Sequence, residues 1–276
     1  MLIIIGFLFY NILMSERIAH LHIEKTAGTS IRKGLFEPVY GKQNVLLYHP
    51  PIDMFRRISD LRSERYTKAY QIKELLVKTP LRPIVDFLVL QLRKRSSTND
   101  IAWEALQSTD YKVVSGHFSA DKINFLLDHF TTVVIRNPLE RMYSHYLHWN
   151  RKNGATQFRI NIEYNPDVTF EEFAMLEKLK DYQTQALRGK PLEEFDLVGT
   201  TTNLNSYSYR LLSQLGLDPY SYPLDYHNRT INKPPLEVSQ DFANEFREFH
   251  INDYTLYEHA LSLENNLQIE SLPRLI

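Results

Sequence analysis

A layered α/β fold, with a central parallel sheet flanked by helices, is what this sequence predicts, and three observations predict it. Short β-type apolar runs alternate with stretches of helical spacing along the chain. Several of the runs end in polar residues, which suits a parallel sheet whose carboxyl edge holds a ligand. With 276 residues, 43% of them hydrophobic and 12% aromatic, the chain is long enough for one sizeable core.

The elements follow in order. "LIIIGFLFYNILM" is apolar but shorter than the ~20 residues that span a bilayer, and no basic residue precedes it, so residues 1–14 read as a segment apart from the core. Met14, followed by Ser15 and Glu16, is then a candidate start, and residues 15–276 are expected to form a single domain. "RIAHLHI" is a β run, small residues follow, and "SIRKGLF" has helical spacing. Residues 52–79 are helical in pattern until Pro80 and Pro83 interrupt them. "IVDFLVLQLRKR" reads as a buried helix or as an amphipathic segment lying on a membrane.

"YKVVSGHF" and "FTTVVIRNP" read as buried strands, the first ending in a Gly116-His117 turn. Asn137 is placed to cap a helix that starts at Pro138 and carries a core stripe of Met142, Tyr146 and Trp149. Residues 150–168 form a polar loop, and Thr169 with Glu172 opens the next helix as a capping box. "FDLVGTTTNLNSYSYRLLSQLGL" is strand, polar turn and helix, stopped by Gly216. "YHNRTINKPP" is a loop, and "FANEFREFHINDYTLYEHAL" is one acidic terminal helix. Four strand ends thus deliver candidate chemistry: Lys25, His117, Arg136 and the Gly199–Asn203 turn.

Charge is balanced overall at -1 but uneven along the chain. Residues 56–95 hold eleven Lys and Arg against four acids, whereas residues 237–276 hold eight acids against two Arg. The basic block is either a solvated helix face or a surface for an anionic ligand, polymer or membrane, which makes it the candidate for peripheral membrane contact. Nothing in the charge calls for nucleic acid. With no cysteine, the chain has no disulfide framework, thiolate metal site or cysteine nucleophile.

"HIEKTAGTS" is a glycine-containing loop between a strand and a helix. Backbone N–H groups of Ala27, Gly28, Thr29 and Ser30 at a helix N-terminus suit an oxyanion, with hydroxyls from Thr29 and Ser30. It is not a Walker loop, because Lys25 precedes the glycine instead of following it. His145 and His148, one turn apart, have no carboxylate at ligand spacing, so no metal is expected.

With "VVSGHFSAD", "VIRNPLERMYSHY" and "LVGTTTNLNSYSYRLL" following in order, the chain resembles the sulfotransferases that use 3'-phosphoadenosine 5'-phosphosulfate (PAPS), in the carbohydrate-modifying, Golgi-type branch. The resemblance spans residues 18–262. It implies a P-loop-like three-layer fold and PAPS as co-substrate, without a metal. It implies that Lys25 neutralises the leaving phosphate while Thr26, Ala27, Gly28, Thr29 and Ser30 wrap the 5'-phosphate. Arg136 and Ser144 would hold the 3'-phosphate, with Arg229, Thr230 and Lys233 closing over the nucleotide. His117 would be the base that takes the proton of an acceptor hydroxyl on a glycan or glycolipid.

The chain departs from the pattern at three places: His117-Phe118-Ser119 where some uronic-acid-modifying relatives carry His-x-His, Glu24 in place of proline, and Asn137 in place of aspartate. The first leaves the acceptor class open. A nucleotide-dependent kinase with an atypical loop, or a non-catalytic polyanion binder, are the alternatives. A cytoplasmic location, with membrane association through residues 56–95 as a variant, completes the expectation.

Overall fold

The computed structural model describes residues 17–48, 111–126, 128–151, 162, 164–227 and 234–271. Its centre is a five-stranded sheet in the order β2-β3-β1-β4-β5, parallel throughout. The strands are β1 (Arg17–Leu21), β2 (Val45–Tyr48), β3 (Val113–Gly116), β4 (His129–Ile135) and β5 (Leu197–Thr200). The chain leaves central β1 toward β2 and β3 on one side and reaches β4 and β5 on the other. The order therefore reverses around β1, and the crevice beyond its carboxyl end is where such sheets take ligands.

Both faces of the sheet are covered, because β1 and β4 bury every other residue to each side. Ile18, Val113, Phe130, Val134 and Leu197 point to one face. There they meet Ile31 of α1 (Gly28–Ile31), Leu35 and Phe36 of the π-helical turn Arg32–Phe36, and Leu204, Tyr207, Leu211 and Leu212. That helical run ends in α2 (Glu37–Tyr40). Ala19, Leu21, Val114, Val133, Ile135 and Val198 pack on the other face against Leu126, Leu187, Phe195 and Ala260. A third cluster joins α3 (Pro138–Arg151) to α4 (Phe170–Ala174) and the C-terminal helices through Met142, Trp149, Phe173 and Phe246.

The remaining helices are α5 (Tyr182–Leu187), α6 (Leu204–Gln214), α7 (Gln240–Phe249) and α8 (Ile251–Ser271). Asn137 caps α3, its side-chain oxygen accepting from Glu140 N (3.2 Å), with Pro138 as the first helical residue. The Thr169–Glu172 capping box forms, and Gly216 takes a left-handed φ of 70° at the end of α6. Met142, Tyr146 and Trp149 lie in the third cluster, as their spacing predicts.

A 3-10 stretch, Ala120–Phe125, follows β3. Two elements differ from the sequence reading. β2 was hidden because "VLLY" is too short to show a period. The terminal helix is two helices broken at His250, whose Nδ1 accepts from Asp181 N (3.1 Å) and whose Nε2 faces the Ala174 carbonyl (2.9 Å). That side chain meets acceptors and donors only a fixed tertiary neighbour supplies. Residues 1–14, the 52–79 helix, the 84–95 run and the basic block 56–95 lie outside the described residues. Among the described residues, no helix is long and apolar enough to cross a membrane.

Candidate functional site

Because all five strands are parallel, β3, β1 and β4 present their last residues along one edge, and each leads straight into a polar segment. The loop after β1 is held in an unusual shape. Lys25 and Ala27 both have left-handed backbones, at φ 71° and 67°. For residues with a Cβ this costs about 1–2 kcal/mol each, so the loop must be fastened from within. Thr26, 1% exposed, does this by donating its hydroxyl to Ile23 O (2.9 Å). A left-handed residue followed by the first helical turn directs successive N–H groups toward one point, an anion-binding concavity. Helix geometry also leaves the N–H groups of Gly28, Thr29 and Ser30 without acceptors in their own helix.

The hydroxyls are used differently from the sequence expectation. Thr26 closes the loop. Ser30 donates to His227 O (2.7 Å) and accepts from His227 N (3.0 Å), so its proton is committed to the chain and is not offered to an oxyanion. Close approach of that chain depends on Gly34, where a Cβ would lie 1.9 Å from Asp225 O. Ala27 turns its methyl to the core, leaving only its backbone for a ligand. Thr29 and Lys25 remain half-buried at the loop.

Arg136 meets this loop directly, its guanidinium donating to Lys25 O (3.2 Å). Its backbone is fixed by Gln183, a fully buried residue on α5. Arg136 N donates to Gln183 Oε1 and Gln183 Nε2 donates to Arg136 O, both at 2.9 Å, so the side chain imitates a neighbouring strand. Gln183 is fixed in turn by Asp253 of α8, whose carboxylate accepts from the N–H groups of Gln183 (3.2 Å) and Thr184 (2.8 Å). Arg136 also contacts Glu140 at 3.5 Å. Ser144 stands one helical turn beyond Glu140, on the same side of α3.

Arg141 is 1% exposed, and none of its three guanidinium nitrogens has a hydrogen-bond partner among the described residues. Its guanidinium lies over the Tyr182 ring at 4.7 Å. Burial acts against its charge, opposed by Asp253, Tyr182 and Glu24. Arg136 Nε is likewise buried without a hydrogen-bond partner among the described residues. Buried donors left unpaired cost about 1–3 kcal/mol each, and such a set fits an oxyanion arriving from outside. Burial lowers Lys25 to a pKa of about 8; Glu24 pulls it back up, while Arg151, Arg136 and Arg141 push it down further.

His117 follows β3 and sits beside the same loop. His22 N donates to Gly116 O (2.9 Å), and His117 Nδ1 lies 2.7 Å from His22 O. A carbonyl oxygen only accepts, so Nδ1 carries the proton and, in the neutral ring, Nε2 is the unprotonated nitrogen. The ring stacks on that of His22, centroids 4.1 Å apart and planes 28° apart. Ser119 makes a side-chain hydrogen bond to Asp121.

At the fourth strand end, the Gly199–Asn203 turn is tied to Glu264 of α8, which accepts from Thr200 N (2.8 Å), Thr200 Oγ1 (2.8 Å) and Asn203 Nδ2 (3.0 Å). Arg210 pairs with the same carboxylate at 3.3 Å. These contacts tie the turn into the fold.

Arg229, Thr230 and Lys233 lie outside the described residues, but the chain is anchored on both sides of them. His227 is bound to Ser30, and Tyr143 of α3 donates to the carbonyls of Pro234 (3.2 Å) and Pro235 (3.3 Å). His145 is buried against Phe173 and Tyr182, and His148 Nδ1 meets Arg151 at 3.0 Å. Among the described residues, no three His, Asp or Glu are grouped as metal ligands. Sequence reasoning missed Gln183, Asp253 and Glu264, whose roles depend wholly on long-range pairing.

No family model matches the chain. Over 152 residues, 55% of its length, it is 28% identical to the interferon-induced GTP-binding protein Mx1 of Equus caballus, and it spans 20% of that protein. Among solved structures, a sulfotransferase from Alicyclobacillus acidocaldarius superposes with a TM-score of 0.40 at 13% identity, covering 86% of this chain and 92% of that one. Likenesses of this size assign the chain to no family.

Proposed function

We propose that the chain transfers a sulfonate group from PAPS to a hydroxyl of a carbohydrate or glycolipid. The observation that supports this most is the contact of Arg136 with the Lys25 carbonyl, which joins the two halves of the resemblance, 111 residues apart, at adjacent strand ends. The loop alone suits any oxyanion. A second cationic donor set beside it suits a nucleotide that carries a further phosphate.

In this reading the N–H groups of Ala27, Gly28, Thr29 and Ser30 hold the 5'-phosphate, and Arg136 with Ser144 holds the 3'-phosphate. Thr26 keeps the loop in shape, and Arg229, Thr230 and Lys233 contribute from the segment anchored at His227 and Pro234. His117 Nε2 takes the proton of the acceptor hydroxyl as its oxygen bonds to sulfur. Lys25 neutralises the phosphate oxygen released when the old sulfur–oxygen bond breaks. Positioned base catalysis of this kind contributes about 10²- to 10⁴-fold. The chain's own groups supply both proton transfer and charge neutralisation.

The test is thermal stabilisation by 3'-phosphoadenosine 5'-phosphate against ATP and GTP, in the wild type and in Arg136→Ala. The bisphosphate is expected to stabilise the wild type and to lose most of that shift in the variant. A larger shift with GTP, the ligand in the name of the Mx1 protein, or an equal shift in Arg136→Ala, overturns the donor assignment.

A further inference from the structure

Resting on the reading of His117 as base, the geometry points to His22 as the positioning residue that couples this base to the phosphate loop. Three contacts converge on it. Its carbonyl holds His117 Nδ1 at 2.7 Å, its N–H holds Gly116 O at 2.9 Å, and its ring stacks on His117 with centroids 4.1 Å apart. Two of these grip the Gly116-His117 turn through the backbone. The third sets the plane of the imidazole.

The same ring fills the space beside Gly28. A Cβ at position 28 would stand 1.9 Å from His22 Cδ2, 2.1 Å from Nε2 and 2.3 Å from Cγ. No real carbon approaches that closely, so any side chain there must displace the imidazole. Gly28 is thus required by His22, in addition to any need for backbone to approach a phosphate. The order of contact is Gly28, His22, His117: the loop that would bind the donor and the group that would take the proton share one wall. A loop that shifts on binding an anion moves the base with it.

This makes a size-complementation prediction. Gly28→Ala pushes His22 out and releases His117, whereas Gly28→Ala combined with His22→Ala is no worse than His22→Ala alone, because the clash has gone with the ring. His22→Phe keeps a flat ring against His117 and preserves its orientation.

The readout is long-range proton–nitrogen NMR of ¹⁵N-histidine-labelled full-length protein, with His117→Gln to assign the signal. It needs no acceptor. Wild type and His22→Phe are expected to show a single Nδ1–H tautomer for His117; His22→Ala and Gly28→Ala are expected to lose it to averaged nitrogen shifts. In parallel, stabilisation by 3'-phosphoadenosine 5'-phosphate is expected to survive in His22→Ala. An unchanged His117 tautomer in His22→Ala overturns the inference. So does a Gly28→Ala protein that keeps the tautomer while losing the bisphosphate shift. Where His22→Ala does not fold, Gly28→Ala against His22→Phe decides between the same outcomes. Absence of any bisphosphate shift in the wild type counts against the donor reading alone, since the histidine spectrum is measured without ligand.

Discussion

Lys25 combines a left-handed backbone with a side chain that burial and three arginines push down to a pKa of about 8. The sign of the consequence is fixed: below about 8 the ammonium is charged and attracts an anion, and above it the charge is lost. Affinity for 3'-phosphoadenosine 5'-phosphate, measured by calorimetry, should therefore fall as pH rises from 7 to 9. Lys25→Met should weaken it by roughly 10- to 100-fold at pH 7, the equivalent of one charge-assisted contact, and remove that alkaline decline. A Lys25→Met protein with an unchanged pH profile would show that another group sets it. At this scale residue type and order single out Lys25, Gly28, Arg136 and His117 as candidates, and the structure brings Arg136 against the Lys25 carbonyl and His117 beside His22. Sequence reasoning was weak for Ser30, whose hydroxyl proton was assigned outward and in fact goes to His227, 197 residues away.

Between elements, two carboxylates of α8 act at different strand ends. Asp253 caps α5 and through Gln183 holds Arg136; Asp181 returns the contact by accepting from Asp253 N (3.2 Å) and Asn252 Nδ2 (2.7 Å). Glu264 holds the turn after β5. Asp253→Ala should cost about 1–2 kcal/mol, as for a lost helix cap, and should also weaken bisphosphate binding. Glu264→Ala should cost more, about 3–5 kcal/mol, because Arg210 loses its buried partner, yet leave the ligand-induced thermal shift intact. Thermal melts with and without the bisphosphate separate the two; equal loss of ligand shift in both variants would mean that the β5 turn belongs to the site after all.

For the molecule as a whole, His20, His129, His145 and His250 are buried in the neutral form. Burial lowers His20 and His145 to a pKa of about 3 and His129 to about 4. The unfolded chain binds protons at these groups near pH 6.5 while the folded one does not, so folding stability falls as pH drops below 6.5 and is restored above it. Each group contributes up to about 1.4 kcal/mol per pH unit within that window. Urea midpoints at pH 7.5, 6.0 and 5.0 should decline steadily, and a flat series would contradict neutral burial. Local pattern and chemistry by themselves determined that strands alternate with helices, where Asn137, Thr169 and Gly216 bound those helices, and which loops carry lysine, histidine and arginine. Those signals lie within a few residues of each other, so a linear reading captures them. Tertiary structure alone decided that β1 lies between β3 and β4, which brings His22 against His117 and Arg136 against the Lys25 carbonyl. It also decided that Gln183, Asp253 and Glu264 hold the edge in place. Strand order and partner choice for buried polar groups depend on the packing of two sheet faces, and no local pattern encodes that.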